Sequence, residues 1–462
     1  MKKFYLFAAA AVLLTACVKT QSLDEVAPIN TDETAVSFDV YTPRATKAGK
    51  PQVITTEVLK AGPGFGVFAY YTDDTKYDQY VKPNFMYNQQ VKWTSEPATG
   101  YWVYEPVKYW PNETGDAAKS DDCDYVSFFA YAPYVTCDPA TGAVKRPDNA
   151  PDQVPSETEL QQKNITGMTN NNTMGDPKIK YVVDWNPATS VDLLWGVQTT
   201  AENPDVDVIG MPFVDRTKPR TSKKLDFTML HALSKLNVQI DAIVDKETAP
   251  SDNIEDETKI YVRSITFEGF AAKGTLNLKN VQKSTPLWID YSGVDNLVAE
   301  PVTIFDGRKD GKEGHLDGEA TREKVTGLNP VIIQSEPYGP TATKGVTNQV
   351  VNLFKPFSTE HGEKDPIFVI PNGDAMTVTI EYDVETIDEN LAGYLSDGKT
   401  HGSSIRNTIT KKIEVSGEAL KMVAGKAYTI NLHLGMTRIK VEAEVEAWDP
   451  TDPQNVDLPA NV

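Results

Sequence analysis

The sequence predicts an all-β protein built of sandwich layers, and three observations carry that expectation. Apolar and polar residues alternate with the two-residue period of half-buried strands. The cleanest case is Ile439, Val441, Ala443, Val445 and Ala447 interleaved with Lys440, Glu442, Glu444 and Glu446. Aromatic, β-rich runs recur, as at residues 66–71 and 126–131. Helical periodicity is nearly absent, and residues 418–424 are the stretch that reads as a turn or two of helix. Sandwiches are the usual way to bury such a set of strands.

In chain order, strands are expected at 36–40, 66–71, 126–131, 181–184, 192–195, 235–240, 261–267, 367–370 and 376–384. A closing pair follows at 428–434 and 439–447, turning at Gly435. Asn, Pro, Thr and Asp-rich loops are expected at 147–177, 201–222 and 292–344. The second of these is the best boundary. The chain has 462 residues, too many for one core, and a division near residue 221 gives two halves of sandwich size.

The N-terminus sets an address. Lys2 and Lys3 precede an apolar run, residues 4–14, that is too short to span a bilayer. Leu14-Thr15-Ala16-Cys17 then matches a lipobox, with small residues at the two positions before the cysteine. Residues 1–16 therefore read as a lipoprotein signal, and the Cys17 thiol as the site that carries lipid such as palmitate. The mature chain is expected to be anchored to a membrane without crossing it. Cys123 and Cys137 remain. A strand between them would hold their ends apart, so two thiols are expected rather than a disulfide.

Charge and motifs exclude several functions. Lys and Arg total 45 against 65 Asp and Glu, a net charge of −20, which disfavours nucleic acid and anionic lipid surfaces as partners. The five histidines, His231, His315, His361, His401 and His433, have no metal-ligand spacing. His231 reads as a packing residue. No Gly-x-Ser-x-Gly or P-loop occurs, and residues 62–66 are glycine-rich without a helix following, a turn into a strand. Asp306, Asp310, Gly311 and Asp317 fall at positions 1, 5, 6 and 12 of a calcium loop. Arg308 at position 3 argues for a solvated acidic loop instead. No enzyme, cofactor or metal site is expected. Sequons at Asn112, Asn164 and Asn171 carry little weight in a bacterial export context. Trp93, Tyr101, Trp102, Tyr104, Tyr109 and Trp110 could form a sugar platform, but alternation places about half of them in a core.

Several short strings, taken in order, resemble one family. They are Thr42-Pro43-Arg44-Ala45, Gly64-Phe65-Gly66-Val67-Phe68-Ala69-Tyr70, Tyr109-Trp110-Pro111, and Val126-Ser127-Phe128-Phe129-Ala130-Tyr131-Ala132-Pro133. Asp192-Leu193-Leu194-Trp195, Phe227 with residues 231–236, Gly425-Lys426-Ala427-Tyr428 and Trp448 complete the series. With the lipobox, this set is similar to the fimbrillins, the subunits of type V pili. The resemblance covers nearly the whole chain. It implies two transthyretin-like β-sandwiches in tandem, residues 45–221 and 222–448. It also implies a lipoprotein precursor at the outer membrane, cleaved by an arginine-specific protease and then assembled by donor-strand exchange into an extracellular fimbrium that serves adhesion.

The residues fit that scheme. Arg44 follows the first strand in a Pro, Thr and Gly-containing stretch, where proteases cut, so Arg44-Ala45 is the expected scissile bond and 17–44 the segment removed. Lys47-Ala48 is the runner-up. Val36, Phe38 and Val40 mark the strand to be displaced, and strand addition would repair the bared edge. Beyond Pro450 and Pro453, residues 449–462 form a tail in which Val456, Leu458, Ala460 and Val462 alternate with polar residues and Pro459. That tail is the candidate donor strand. Without it the chain would be a tip subunit. The expected partners are other fimbrial subunits, the protease, and a host or bacterial surface ligand. A lipid-anchored surface glycan-binding module is the alternative, which would depend on Trp102.

Overall fold

The computed structural model describes residues 35–42, 54–95, 100–111, 124–144, 164–184, 190–198, 208–218, 224–242, 258–294, 296–306, 332–334, 348–352, 367–393, 401–434 and 439–447. The regular structure of the described residues is almost all strand. Its first strands are β1 (Phe38–Tyr41), β2 (Phe65–Tyr71), β3 (Met86–Thr94), β4 (Tyr101–Val103), β5 (Val126–Ala132), β6 (Ile165–Met168), β7 (Lys178–Val182), β8 (Leu194–Gln198), β9 (Phe213–Arg216) and β10 (Leu225–His231). A short helix, α1 (Thr56–Ala61), precedes β2.

Eight of these strands form one sheet in the order β1-β10-β8-β5-β2-β3-β4, with β9 also paired to β5. The sheet curls until its two ends approach: Ala35, just before β1, bridges Tyr109, just beyond β4. Inside the curl lies one apolar cluster that includes Phe38, Phe65, Phe128, Trp102 and Phe227. The outer face of the central strands meets a second cluster through Phe68, Tyr70, Phe129, Tyr131 and Trp195. Both faces of β2 and β5 are therefore covered. This explains why their sequences, FGVFAYY and VSFFAYA, are near-continuous apolar runs rather than alternating ones.

The later strands are β11 (Ser234–Ala242), β12 (Thr258–Glu268), β13 (Phe270–Ala271), β14 (Lys273–Gln282), β15 (Thr285–Ile289), β16 (Val302–Asp306), β17 (Ile332–Gln334), β18 (Asn348–Asn352), β19 (Ile367–Pro371), β20 (Thr377–Ile387), β21 (Gly402–Lys412), β22 (Glu414–Val415), β23 (Glu418–Ala419), β24 (Lys426–Leu434) and β25 (Ile439–Ala447). One sheet runs β13-β19-β11-β24-β25 and another β16-β12-β20-β21. Leu236, Val238, Ile430 and Leu432 of the first share a buried cluster with Ile265, Phe267, Ile380 and Tyr382 of the second, a β-sandwich core. A further sheet, β15-β14-β7-β6, joins strands from both halves of the sequence. β10 follows residue 221, yet its ladder partners β1 and β8 precede it. The chain then passes from β10 to β11 through Ala232 and Leu233, both fully buried. Asp383, buried on β20, accepts hydrogen bonds from Arg263 at 3.1 Å and Arg406 at 3.3 Å, so its charge is paired.

Some expectations change. Residues 418–424 are not helical. Glu418 and Ala419 instead form β23, which pairs with β22 in a tight hairpin turned by Ser416 and Gly417, both at positive φ, a type I′ geometry that fits the right-handed strand twist. The loops expected at 147–177, 201–222 and 292–344 contain β6, β9, and β16 with β17. These are strands of three to five residues, too short to show a period, and they are fixed by pairing with longer neighbours. β3 was hidden by its polar run, which the fold satisfies: Asn88 donates to Val135 O at 3.0 Å and Gln90 to Pro63 O at 2.8 Å. α1 was too short for a period to show. Its signals are local, namely Thr55 accepting from Val58 N–H, Glu57 in the first turn and Lys60 in the last.

Gly64 opens β2 at φ +73°, and a Cβ there would lie 1.9 Å from Val91 O. Gly64→Ala is expected to cost at least about 2 kcal/mol, through strain and displacement of β3. A urea melt would show this as a lower midpoint with unchanged slope.

Candidate functional site at the first strand

β1 is held on three sides. Alternation turns Val36, Phe38 and Val40 inward, with relative exposures of 0%, 1% and 6%, while Tyr41 points outward at 45%. Its backbone runs parallel to β10, pairing Phe38 with Leu225, Asp39 with Asp226, Val40 with Phe227 and Tyr41 with Thr228. The Leu225 N–H donates to Ser37 O at 2.8 Å. On the opposite side the Val36 N–H donates to Lys108 O at 2.9 Å, and the Tyr104 hydroxyl donates to Val36 O at 2.7 Å. Burial raises the Tyr104 pKa well above its usual value, so the hydroxyl keeps the proton it donates. The segment thus links the two ends of the curled sheet.

At the strand's end the Thr42 N–H donates to Thr56 Oγ1 at 2.9 Å, and the two hydroxyls lie 2.8 Å apart. Thr42 is 2% exposed. This clasp ties the strand to the first residue of α1. On the outer surface Lys224 Nζ lies 3.5 Å from Asp39 Oδ2 with both side chains solvated, a pair of little energetic weight.

Phe38 is the centre of the seat. Its ring centroid is 6.2 Å from Phe65, 5.5 Å from Tyr104, 6.0 Å from Phe128 and 6.3 Å from Phe227. Three of these walls are backed by further rings: Trp102 at 5.2 Å behind Phe65, Trp110 at 5.5 Å behind Phe128, and Phe213 at 4.9 Å behind Phe227. Burying Val36, Phe38 and Val40 stabilises the seated strand by about 1.5–3 kcal/mol for each side chain. The ladder bonds add to this.

Of the residues singled out in the sequence, Val36, Phe38 and Val40 come together in this site. Cys17, Arg44, Ala45, Lys47, Cys123 and the tail residues Val456, Leu458, Ala460 and Val462 lie outside the described residues, as do Asp310, Gly311 and Asp317 of the acidic loop. Cys137 is buried, with its Sγ 3.4 Å from Asn88 Nδ2. His231 ends β10, buried, with Nδ1 2.7 Å from Asp192 Oδ2. Among the described residues, no group of three or more His, Cys, Asp or Glu is placed to hold a metal ion. Within the aromatic set, Trp102, Tyr104 and Trp110 are buried, and Lys60 Nζ lies 4.6 Å over the Trp93 ring. Trp102 cannot be the sugar-stacking residue of a glycan platform, because it is 2% exposed and meets Trp93 edge-on at 71°.

The partner strand and the clasp were not visible in the sequence. β10 lies far along the chain from β1, and Thr42 with Thr56 shows no motif. The alternation of Leu225, Phe227 and Met229 was the available signal for β10, since all three turn into the same cluster as Phe38.

No family model matches the chain. It is 24% identical over 455 residues to the fimbrium subunit Fim1C of Phocaeicola vulgatus, covering 97% of each chain. A solved structure of a fimbrial protein from Bacteroides vulgatus aligns over 90% of this chain and 99% of its own, with 20% identity and a TM-score of 0.48.

Phe38→Ala is expected to destabilise the N-terminal sheet by about 3–5 kcal/mol, because the backed walls cannot collapse into the void. Tyr41→Ala should change stability by no more than about 0.5 kcal/mol. Urea unfolding of the two precursors, followed by tryptophan fluorescence, distinguishes these outcomes.

Proposed function

We infer that the protein is a non-enzymatic structural subunit of an extracellular fimbrium that serves cell adhesion, joined to other fimbrial subunits by exchange of its first strand. The full-length relationship to a fimbrium subunit supports the fimbrial role. The observation that carries the exchange is the placing of β1. It is a sheet-edge strand with three buried side chains, and Arg44 follows two residues after the clasp at Thr42.

The sequence of events follows from those contacts. Cys17 carries the lipid that holds the precursor at the outer membrane. An arginine-specific protease cuts Arg44-Ala45, and β1 then belongs to a separate peptide held only by packing and ladder bonds. A strand from another subunit replaces it, re-pairing the β10 edge and refilling the seat. The tail with Val456, Leu458, Ala460 and Val462 serves as the strand this subunit gives to its neighbour. The two-sandwich division near residue 221 belongs to the same reading, with β10 supplied to the first sheet from beyond it.

Treating the exported precursor with an arginine-specific protease should yield a chain beginning at Ala45 that forms polymers, alone or with a second subunit, while Arg44→Ala stays uncut and monomeric. A cut chain that never associates with any fimbrial subunit contradicts this function.

A further inference from the structure

The shape of the Phe38 seat selects what can refill it. We propose that the strand accepted at this groove carries a large aromatic side chain at its centre, flanked at alternate positions by β-branched or similar apolar residues. It therefore comes from a subunit of another type rather than from this chain's own residues 454–462. The inference rests on the strand-exchange reading above and goes beyond it by naming the chemistry of the partner.

Three features of the seat support it. The first is its size. Four rings surround Phe38 at centroid distances of 5.5 to 6.3 Å. The second is rigidity. Phe65, Phe128 and Phe227 are each braced by another aromatic ring, so the walls cannot move in around a smaller guest. The cost of an undersized side chain depends on how far its site can collapse, and this site collapses little. The third is the ladder. Phe38 pairs with Leu225, and the Leu225 N–H donates to Ser37 O. In a parallel ladder the return bond comes from the N–H at the Asp39 position, so the guest needs a backbone donor there.

The tail meets these demands in no register. With Leu458 in the Phe38 seat, Val456 takes the Val36 position, but Ala460 underfills the Val40 position and Pro459 falls where the donor is needed. With Val456, Ala460 or Val462 in the seat, the mismatch in volume is larger. The tail alternates correctly, which is what the sequence shows, but it lacks a ring.

The test uses the full precursor, nicked at Arg44 with an arginine-specific protease and left folded. A labelled peptide of residues 35–42 is exchanged into the groove and then competed with unlabelled peptides, with occupancy read by native mass spectrometry. The unlabelled 35–42 peptide should compete equally. Its Phe38→Leu form should be weaker by about tenfold, and its Phe38→Ala form by at least about 100-fold. A peptide of residues 454–462 should also be weaker by at least about 100-fold, and should recover about tenfold or more when made with Leu458→Phe and Pro459→Ser. A 454–462 peptide that competes within about threefold of the native strand overturns the proposal while leaving strand exchange intact. If even the labelled native strand never enters, displacement itself fails, and the proposal with it.

Discussion

The parallel ladder between β1 and β10 is the contact on which the N-terminal sheet depends. β10 receives β8 on one side, and its other edge would be a row of unpaired backbone groups without β1. β1 also reaches the 104–110 segment through Val36 and Ala35, so it seals the gap between the two ends of the curl. Phe38 fills the interior at that point. Backbone pairing and core filling thus fall on the same short strand, and losing it would expose both at once.

That coincidence gives the proposed assembly its logic. A strand held by three buried side chains and a ladder does not leave because one peptide bond beyond it is cut. Several kcal/mol of apolar burial keep it seated. In that proposal it leaves when another strand offers the same pairing and filling, so cleavage would license exchange without forcing it. The Thr42–Thr56 clasp sits between the seat and Arg44, and it marks where the strand ends and the connecting segment begins. On the same proposal the acidity of the chain, net −20, describes a solvated surface, while joining would be left to backbone and apolar groups.

Much of this was legible in the sequence, for physical reasons. The period-two pattern of Val36, Phe38 and Val40 reports burial directly, because side chains alternate across a strand. The apolar runs of β2 and β5 mark strands, and their continuous character is the sign of two covered faces. Pairing was not legible. Nothing local links residue 38 to residue 225, and a parallel ladder carries no turn signature to mark it. The aromatic cluster of residues 93–110 was ambiguous for a related reason. An aromatic run fits a surface platform or a core wall equally well, and only the curl of the sheet, which puts Trp102 and Trp110 behind the Phe38 seat, decides it. Short strands such as β6 and β9, and the polar β3, owe their form to partners rather than to their own composition.

Residue-resolved amide hydrogen exchange reports whether β10 depends on β1 for its outer edge. In the intact precursor, Leu225 and Phe227 should exchange slowly. After nicking and removal of the first strand, those two amides should exchange orders of magnitude faster. Thr228 and Leu230, which pair with Val197 and Trp195 of β8, should stay protected, giving an alternating pattern along one strand. Slow exchange at Leu225 and Phe227 with the first strand gone would contradict the account.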